Sequence, residues 1–235
     1  MKARAAAALF VAGGALTLAS AGFRSAAREP KGAEYAVRWN PADGGPSTPA
    51  EALALLGAGA SAGAECVVRY FDLAAPAGAP AGTTAILRQR VCGGDDDLRL
   101  KFRSLHPLGS GWRCPPDADY RKRAQVDIGF GESAPARVYS YSCTLPVAEP
   151  PASLHATPKP CASRMTRFDA DTPACPGCKV EEWRLPDGGV RLEISQTAPN
   201  AVDALAAFTS VVGRLRARGA RPVDESKTEL GSRCP

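Results

Sequence analysis

The segment Glu34-Tyr35-Ala36-Val37-Arg38-Trp39 alternates polar and apolar residues without a break. That period of two predicts a half-buried strand, with Tyr35, Val37 and Trp39 on one face and Glu34, Ala36 and Arg38 on the other. Strand patterns recur over 66–73, 85–92, 97–103, 124–130 and 137–145. Two more, over 179–185 and 189–195, flank Pro186-Asp187-Gly188, a sequence suited to a tight turn. Helical spacing appears twice. Thr48 is placed to cap, Pro49 suits the first helical position, and Glu51 completes a capping box for a helix running to about Leu56. From Asn200 as cap, Ala201, Leu205, Phe208, Val212 and Leu215 form a buried stripe that Gly219 ends. The stretch 146–176, rich in Pro and small residues, reads as a long loop. The sum is about eight strands and two helices. This is an α+β, mainly antiparallel β chain whose sheet is closed or strongly curved, with helices packed outside.

The chain has 235 residues, 45% hydrophobic and 23% charged. Those fractions exclude a disordered or fibrous protein, and the length suits one domain with a real core. Residues 1–21 resemble a secretory signal: Lys2 and Arg4, an apolar stretch, then Ala19-Ser20-Ala21 as a cleavage site. One domain over 22–235 follows, with no membrane span expected after cleavage. Cleavage lowers the formal charge of +5 by two, too little to point to nucleic acid. Export makes the cysteines legible. Cys66, Cys92, Cys114, Cys143, Cys161, Cys175, Cys178 and Cys234 are even in number and suit up to four disulfides. Cys66 and Cys92 bracket a hairpin and are paired here; the other partners stay open. Arg outnumbers Lys and Ala is abundant, which suggests a GC-rich bacterial source and a periplasmic or secreted protein.

Charge is concentrated where composition does not show it. Arg88 and Arg90 share one strand face, as do Arg99, Lys101 and Arg103 on the next. A turn at Gly94-Asp95 pairs Arg90 with Arg99, Arg88 with Lys101, and Ile86 with Arg103. Like charges directly opposite destabilise a sheet, so the face needs water, acidic neighbours or an anion. Glu34/Arg38, Gln125/Asp127, Glu182/Arg184 and Arg191/Glu193 repeat the two-residue spacing, with mostly apolar alternates. A closed sheet with helices outside turns the charged face inward, as a tunnel for a multiply charged anion.

The ordered set of motifs resembles the CYTH-like, triphosphate tunnel metalloenzyme superfamily. The matches are Glu34-Tyr35-Ala36-Val37-Arg38, Tyr70-Phe71-Asp72-Leu73, Leu87-Arg88-Gln89-Arg90 and Leu98-Arg99-Leu100-Lys101-Phe102-Arg103. Glu181-Glu182, Arg191-Leu192-Glu193 and Ser226-Lys227 follow, so the resemblance spans roughly 34–228. It implies a tunnel barrel, Mg²⁺ or Mn²⁺ on Glu34, Glu182 and Glu193, and phosphate on Arg38, Arg88, Arg90, Arg99, Lys101, Arg103, Arg184, Arg191 and Lys227. One departure matters. Ala36 stands where the opening motif has its second acid, and Arg38 replaces Lys. A hard cation wants several carboxylates, whereas Arg binds phosphate bidentately.

Other signals are weaker. Cys175-Pro176-Gly177-Cys178 has redox spacing, but a strand follows where a thiol-activating helix is needed, so it reads as a structural disulfide. The Asp95-Asp96-Asp97 run suits a polar turn. Neither nucleophile elbow nor phosphate loop is present. Three functions compete: a metal-dependent phosphohydrolase, a tunnel that binds a phosphorylated polyanion without turnover, and a non-catalytic disulfide-stapled envelope or secreted protein whose charged face serves a protein partner.

Overall fold

The computed structural model describes residues 29–73, 82–94, 96–109, 112–115, 119–145 and 149–235. The proposed signal at 1–21 lies outside them. Nine strands form one closed barrel: β1 (Gly32–Trp39), β2 (Ala64–Leu73), β3 (Thr84–Val91), β4 (Asp97–Ser104), β5 (Arg121–Phe130), β6 (Ala136–Leu145), β7 (Ala156–Asp169), β8 (Cys178–Arg184) and β9 (Val190–Pro199). Their order around the wall is β1-β5-β6-β4-β3-β2-β7-β8-β9, returning to β1. Every pairing is antiparallel except β1 with β5. Three helices accompany them: α1 (Pro49–Leu55), α2 (Val202–Ala217) and the short α3 (Lys227–Gly231).

The barrel is apolar outside and charged inside. Tyr35, Val37 and Trp39 of β1 join Leu192 and Ile194 of β9 in a core packed under α1 and α2. Phe208 of α2 meets Tyr35 and Phe130 at ring separations of 5.8 and 5.3 Å. The alternate residues Glu34, Ala36 and Arg38 turn inward. On α1 the Thr48 side chain accepts from the Glu51 N–H as expected, while the Glu51 carboxylate accepts from Ser47 N–H. Asn200 does not cap α2. Ala201 holds the cap position, and the Asn200 amide instead donates to Glu29 and to the Pro30 carbonyl. Gly219 ends the helix with φ of +87°.

Two expectations need correction. The Pro-rich stretch 146–176 contains β7, the longest strand, of 14 residues. Only 164–167 of it are paired on both sides; Pro158 lies where β7 pairs with β2 alone. A proline's missing N–H is tolerated on such an edge. The β3–β4 register is also displaced by two residues. Arg88 faces Arg99, Arg90 faces Asp97, and Ile86 faces Lys101. The ladder stops at Arg90 and Asp97, and a wider connection follows. Gly93 and Gly94 take φ of 69° and 132°, and the Cys92 N–H donates to Asp96 Oδ1 at 3.1 Å. A shift of two keeps every side chain on its face. The basic row survives and only its partners change: one predicted like-charge pair becomes Arg90–Asp97.

All eight cysteines are paired: Cys66–Cys92, Cys114–Cys143, Cys161–Cys234 and Cys175–Cys178. The second fastens an outer loop across β6, where Trp112 packs edge-on to Tyr141. The third ties the segment after α3 to β7.

Chain-entropy reasoning predicts unequal worth for these links. Cys161–Cys234 spans 73 residues and Cys175–Cys178 spans three. Replacing each pair by Ser should cost about 4 kcal/mol for the first and about 2 kcal/mol for the second. Denaturant unfolding of the oxidised protein measures both, and equal losses or a reversed order would refute this assignment.

Candidate functional site

Every strand contributes its inward residues to one tunnel, and the strand register divides that tunnel into two walls. The first wall is a row of charges across four neighbouring strands. Arg38 of β1 pairs with Glu193 of β9, Glu193 with Glu181 of β8, and Glu181 with Arg167 of β7. Two carboxylates thus stand directly opposite each other, with 1% and 0% residue exposure. Alone they would repel strongly in so dry a place. Lys227, the first residue of α3, bridges them: its Nζ lies 3.0 Å from Glu181 Oε2 and 2.9 Å from Glu193 Oε1. It also lies 4.0 Å from Glu34 Oε1 and 5.5 Å from the Trp183 ring centre.

Further donors and bases surround these acids. Arg167 donates twice to Glu181 Oε1, at 2.9 and 2.6 Å, and Trp183 Nε1 donates to Oε2 at 3.0 Å. Arg38 Nε ion-pairs with Glu193 Oε2. Gln125 donates to Glu34 Oε2 and to Asp127 Oδ1, both at 2.7 Å. The electrostatics follow from these contacts. Burial would lift the Glu34 and Glu181 carboxyls, but Lys227 holds both well below the usual carboxylate range. Burial would equally depress Lys227, yet the three acids raise it above an ordinary lysine. Arg38 and Arg167 are raised for the same reason, burial being outweighed by Glu193 and Glu181 respectively.

The second wall, β3 and β4, is under-compensated. Asp97 serves Arg90 at 2.7 Å, Arg99 at 3.4 Å and Arg88 at 3.7 Å. Asp127 serves Lys101 at 2.8 Å and Arg103 at 3.6 Å. Two acids therefore face five bases. Burial, with Arg88 alongside, pushes the Arg99 guanidinium down to about 10. Burial also lowers Arg90 and Lys101 despite their acidic partners. The Nε atoms of Arg88, Arg90, Arg99 and Arg103 are buried without a protein hydrogen bond.

Lys227 and Thr228 line two chambers. One, of about 270 Å³, is bounded by Arg88, Arg90, Arg99, Lys101, Arg103, Arg123, Arg167, Lys179 and Lys227, with Glu34 and Glu181. The other, of about 550 Å³, is mixed in character and takes in Ala36, Arg38, Asp127, Gly129 and Ser226. Ala36 sits level with Gly129 and Ser195 on its neighbours, so no carboxylate replaces the missing second acid.

α3 is held within the barrel rather than on it. Leu230 is buried against Val68, Tyr70, Met165 and Trp183. A Cβ on Gly231 would come within 3.0 Å of Ser163 Oγ and 3.1 Å of the Tyr70 ring. Ser226 and Glu229 close a capping box that sets the helix start and hence the aim of Lys227.

The tunnel brings together most of the residues expected from the sequence: Glu34, Arg38, Arg88, Arg90, Arg99, Lys101, Arg103, Glu193 and Lys227. It leaves out Glu182 and Arg184, which pair with each other at 2.9 Å, Arg184 well exposed. Their strand parity is the reverse of that required, and Glu181 takes the inward place. Arg191 shares Glu193's face beside Trp183, yet lines neither chamber. Gln125 and Asp127 take the inward face of β5 that their two-residue spacing indicated, and Arg123 extends the same alternation. Asp97 was hidden in an acidic turn run, and Arg167 in a stretch that resembled a loop.

A resident Mg²⁺ or Mn²⁺ does not fit the acids present. Such ions need several free oxygens, and here Lys227 sits between Glu181 and Glu193, Arg167 and Trp183 also donate to Glu181, and Arg38 ion-pairs with Glu193. Among the described residues no group of three or more Asp, Glu, His or Cys side chains is arranged to hold a metal ion.

No family model matches the sequence, and no curated protein is significantly similar to it. Among solved structures, a conserved hypothetical protein of Pyrococcus furiosus is similar at 12% identity and a TM-score of 0.45, covering 84% of this chain and 99% of its own. The PH1819 protein of Pyrococcus horikoshii is similar at 12% identity and 0.47, covering 84% and 97%. A putative adenylyl cyclase of Hippeastrum, described as having a dominant triphosphatase activity, is similar at 15% identity and 0.48, covering 87% and 98%. What the tunnel of this chain can hold is decided by its own side chains.

The depressed Arg99 carries a pH signature. Its folded value of about 10 lies below the ordinary 12.5, so holding it charged opposes folding at every pH below about 10. That penalty fades as the pH rises further. Arg99→Met should therefore raise the melting temperature at pH 8, with the gain shrinking above pH ~10. A loss of stability at pH 8 would show that the basic wall is already balanced.

Proposed function

We propose that this protein binds a linear, multiply charged phosphate anion of the triphosphate or polyphosphate type in the basic chamber. The observation that carries the proposal is the imbalance of the β3–β4 wall. Five bases, Arg90 buried and the other four partly so, share two acids, and four guanidinium Nε atoms are buried without a protein acceptor. A phosphate chain supplies what the wall lacks: negative charge repeated at short intervals, and oxygens that accept from guanidinium groups in pairs. Arg88, Arg90, Arg99, Lys101 and Arg103 are the primary contacts in this reading. Arg123, Arg167 and Lys179 complete the chamber.

Several observations support the surrounding context. All eight cysteines are paired, which favours an oxidising compartment such as a bacterial periplasm or the exterior. No helix among the described residues is long and apolar enough to cross a membrane. The bases face into a barrel, out of reach of a duplex backbone, which favours a small anion over nucleic acid. Binding without turnover is the better-supported form. Hydrolysis assisted by a metal would draw on Glu34, Glu181 and Glu193, which already engage Gln125, Arg167, Trp183 and Lys227 through hydrogen bonds.

Calorimetric titration with sodium tripolyphosphate at low salt tests the proposal, with phosphate release followed in the same samples. Wild type should bind one equivalent. Arg88→Ala and Lys101→Ala should each weaken binding about tenfold or more, the worth of one charge-assisted hydrogen bond. Absence of binding, or binding indifferent to both substitutions, would return the protein to the class whose charged face serves a protein partner. Sustained release of phosphate would make it an enzyme.

A further inference from the structure

We infer that Lys227 is the resident cation of the acidic wall: its ammonium occupies the position that a divalent metal would need, and the tunnel therefore holds no metal in its working state. The geometry is that of a cation among three carboxylates. Nζ lies 2.9 Å from Glu193, 3.0 Å from Glu181 and 4.0 Å from Glu34. The same group sits 5.5 Å over the Trp183 ring, whose π face attracts an ammonium. Nothing about this placement is incidental. α3 is fixed by Leu230 in the apolar end of the tunnel, by the close approach of Gly231 to Ser163 and Tyr70, and by the Cys161–Cys234 bond three residues beyond Gly231. Lys227 cannot withdraw without disturbing all three.

Charge accounting agrees with the geometry. Arg38, Glu193, Glu181 and Arg167 form a row that sums to neutral, two acids flanked by two bases, leaving Glu34 as the acid that Lys227 balances. A divalent ion added to this arrangement would place excess positive charge in a dry site. One ammonium leaves it near neutrality. The missing second acid at Ala36 belongs to the same design, because another carboxylate there would call for a cation that Lys227 alone does not supply. Removing the Lys227 charge should then uncover a latent divalent-metal site formed by Glu34, Glu181 and Glu193.

Manganese alone tests this on the oxidised full chain, with no polyanion in the sample, so failure here leaves the polyanion site standing. Free Mn²⁺ is followed by its electron paramagnetic resonance signal, and thermal melting is recorded with and without the ion. Wild type should take up no stoichiometric Mn²⁺ and show no shift in melting. Lys227→Met keeps the stem over Trp183 and drops the charge. It should melt lower than wild type, bind one Mn²⁺, and recover part of the lost melting temperature when the ion is present. Adding Glu193→Gln to Lys227→Met should abolish uptake. If Lys227→Met folds only in the presence of Mn²⁺, the inference holds equally. Stoichiometric Mn²⁺ binding by wild type that Glu193→Gln removes would overturn it. So would a Lys227→Met protein that ignores Mn²⁺, whether folded or not.

Discussion

The placement of Glu181 directly across from Glu193 inside the barrel constrains nearly everything else in this protein. Two carboxylates at that separation and burial repel each other, and each costs several kcal/mol to remove from water. The chain meets that cost with Arg38 at one end of the row, Arg167 at the other, and Lys227 above the middle. Each of the three comes from a different element. The acidic pair therefore dictates the closure of β1 on β9, the position of β7 beside β8, and the insertion of α3 into the tunnel.

The basic wall shows the opposite solution to the same problem. On the acidic wall Lys227, Arg167 and Trp183 donate to the carboxylates, whereas on β3 and β4 four guanidinium Nε atoms are left without an acceptor. The pKa directions separate the walls in the same way: Arg38, Arg167 and Lys227 are raised, while Arg90, Arg99 and Lys101 are lowered. One wall has its charges matched within the fold, while on the other the bases outnumber their acids, so the tunnel is electrostatically lopsided.

Much of this was legible from residue spacing, because a period of two assigns faces whatever the register. The inward sets on β1, β3 and β4 followed from alternation alone, and a two-residue error in the β3–β4 hairpin left them intact. The same rule could not choose between Glu181 and Glu182. They are adjacent, both flanks contain a large apolar residue, and only the pairing with Arg167 and Glu193 sets the phase. β7 escaped notice because prolines and mixed polarity mimic a loop, and the lone-sided pairing that tolerates Pro158 is a tertiary fact. Lys227 was visible as a base near the end of the motif series. Its role among carboxylates was not, since that depends on where a five-residue helix enters a barrel.

The order of these groups along the chain has a consequence for how the barrel forms. Glu34, Glu181 and Glu193 all precede Lys227, which follows the last of the nine strands. During synthesis the complete sheet can exist before its counter-charge does, and in that interval the wall carries an exposed need for a cation. Strand pairing alone then gives a barrel that is closed in outline yet electrostatically open. The counter-charge is carried by a short helix that the Cys161–Cys234 bond fixes to β7. Maturation of this fold is thus an act of ion pairing as much as of sheet closure.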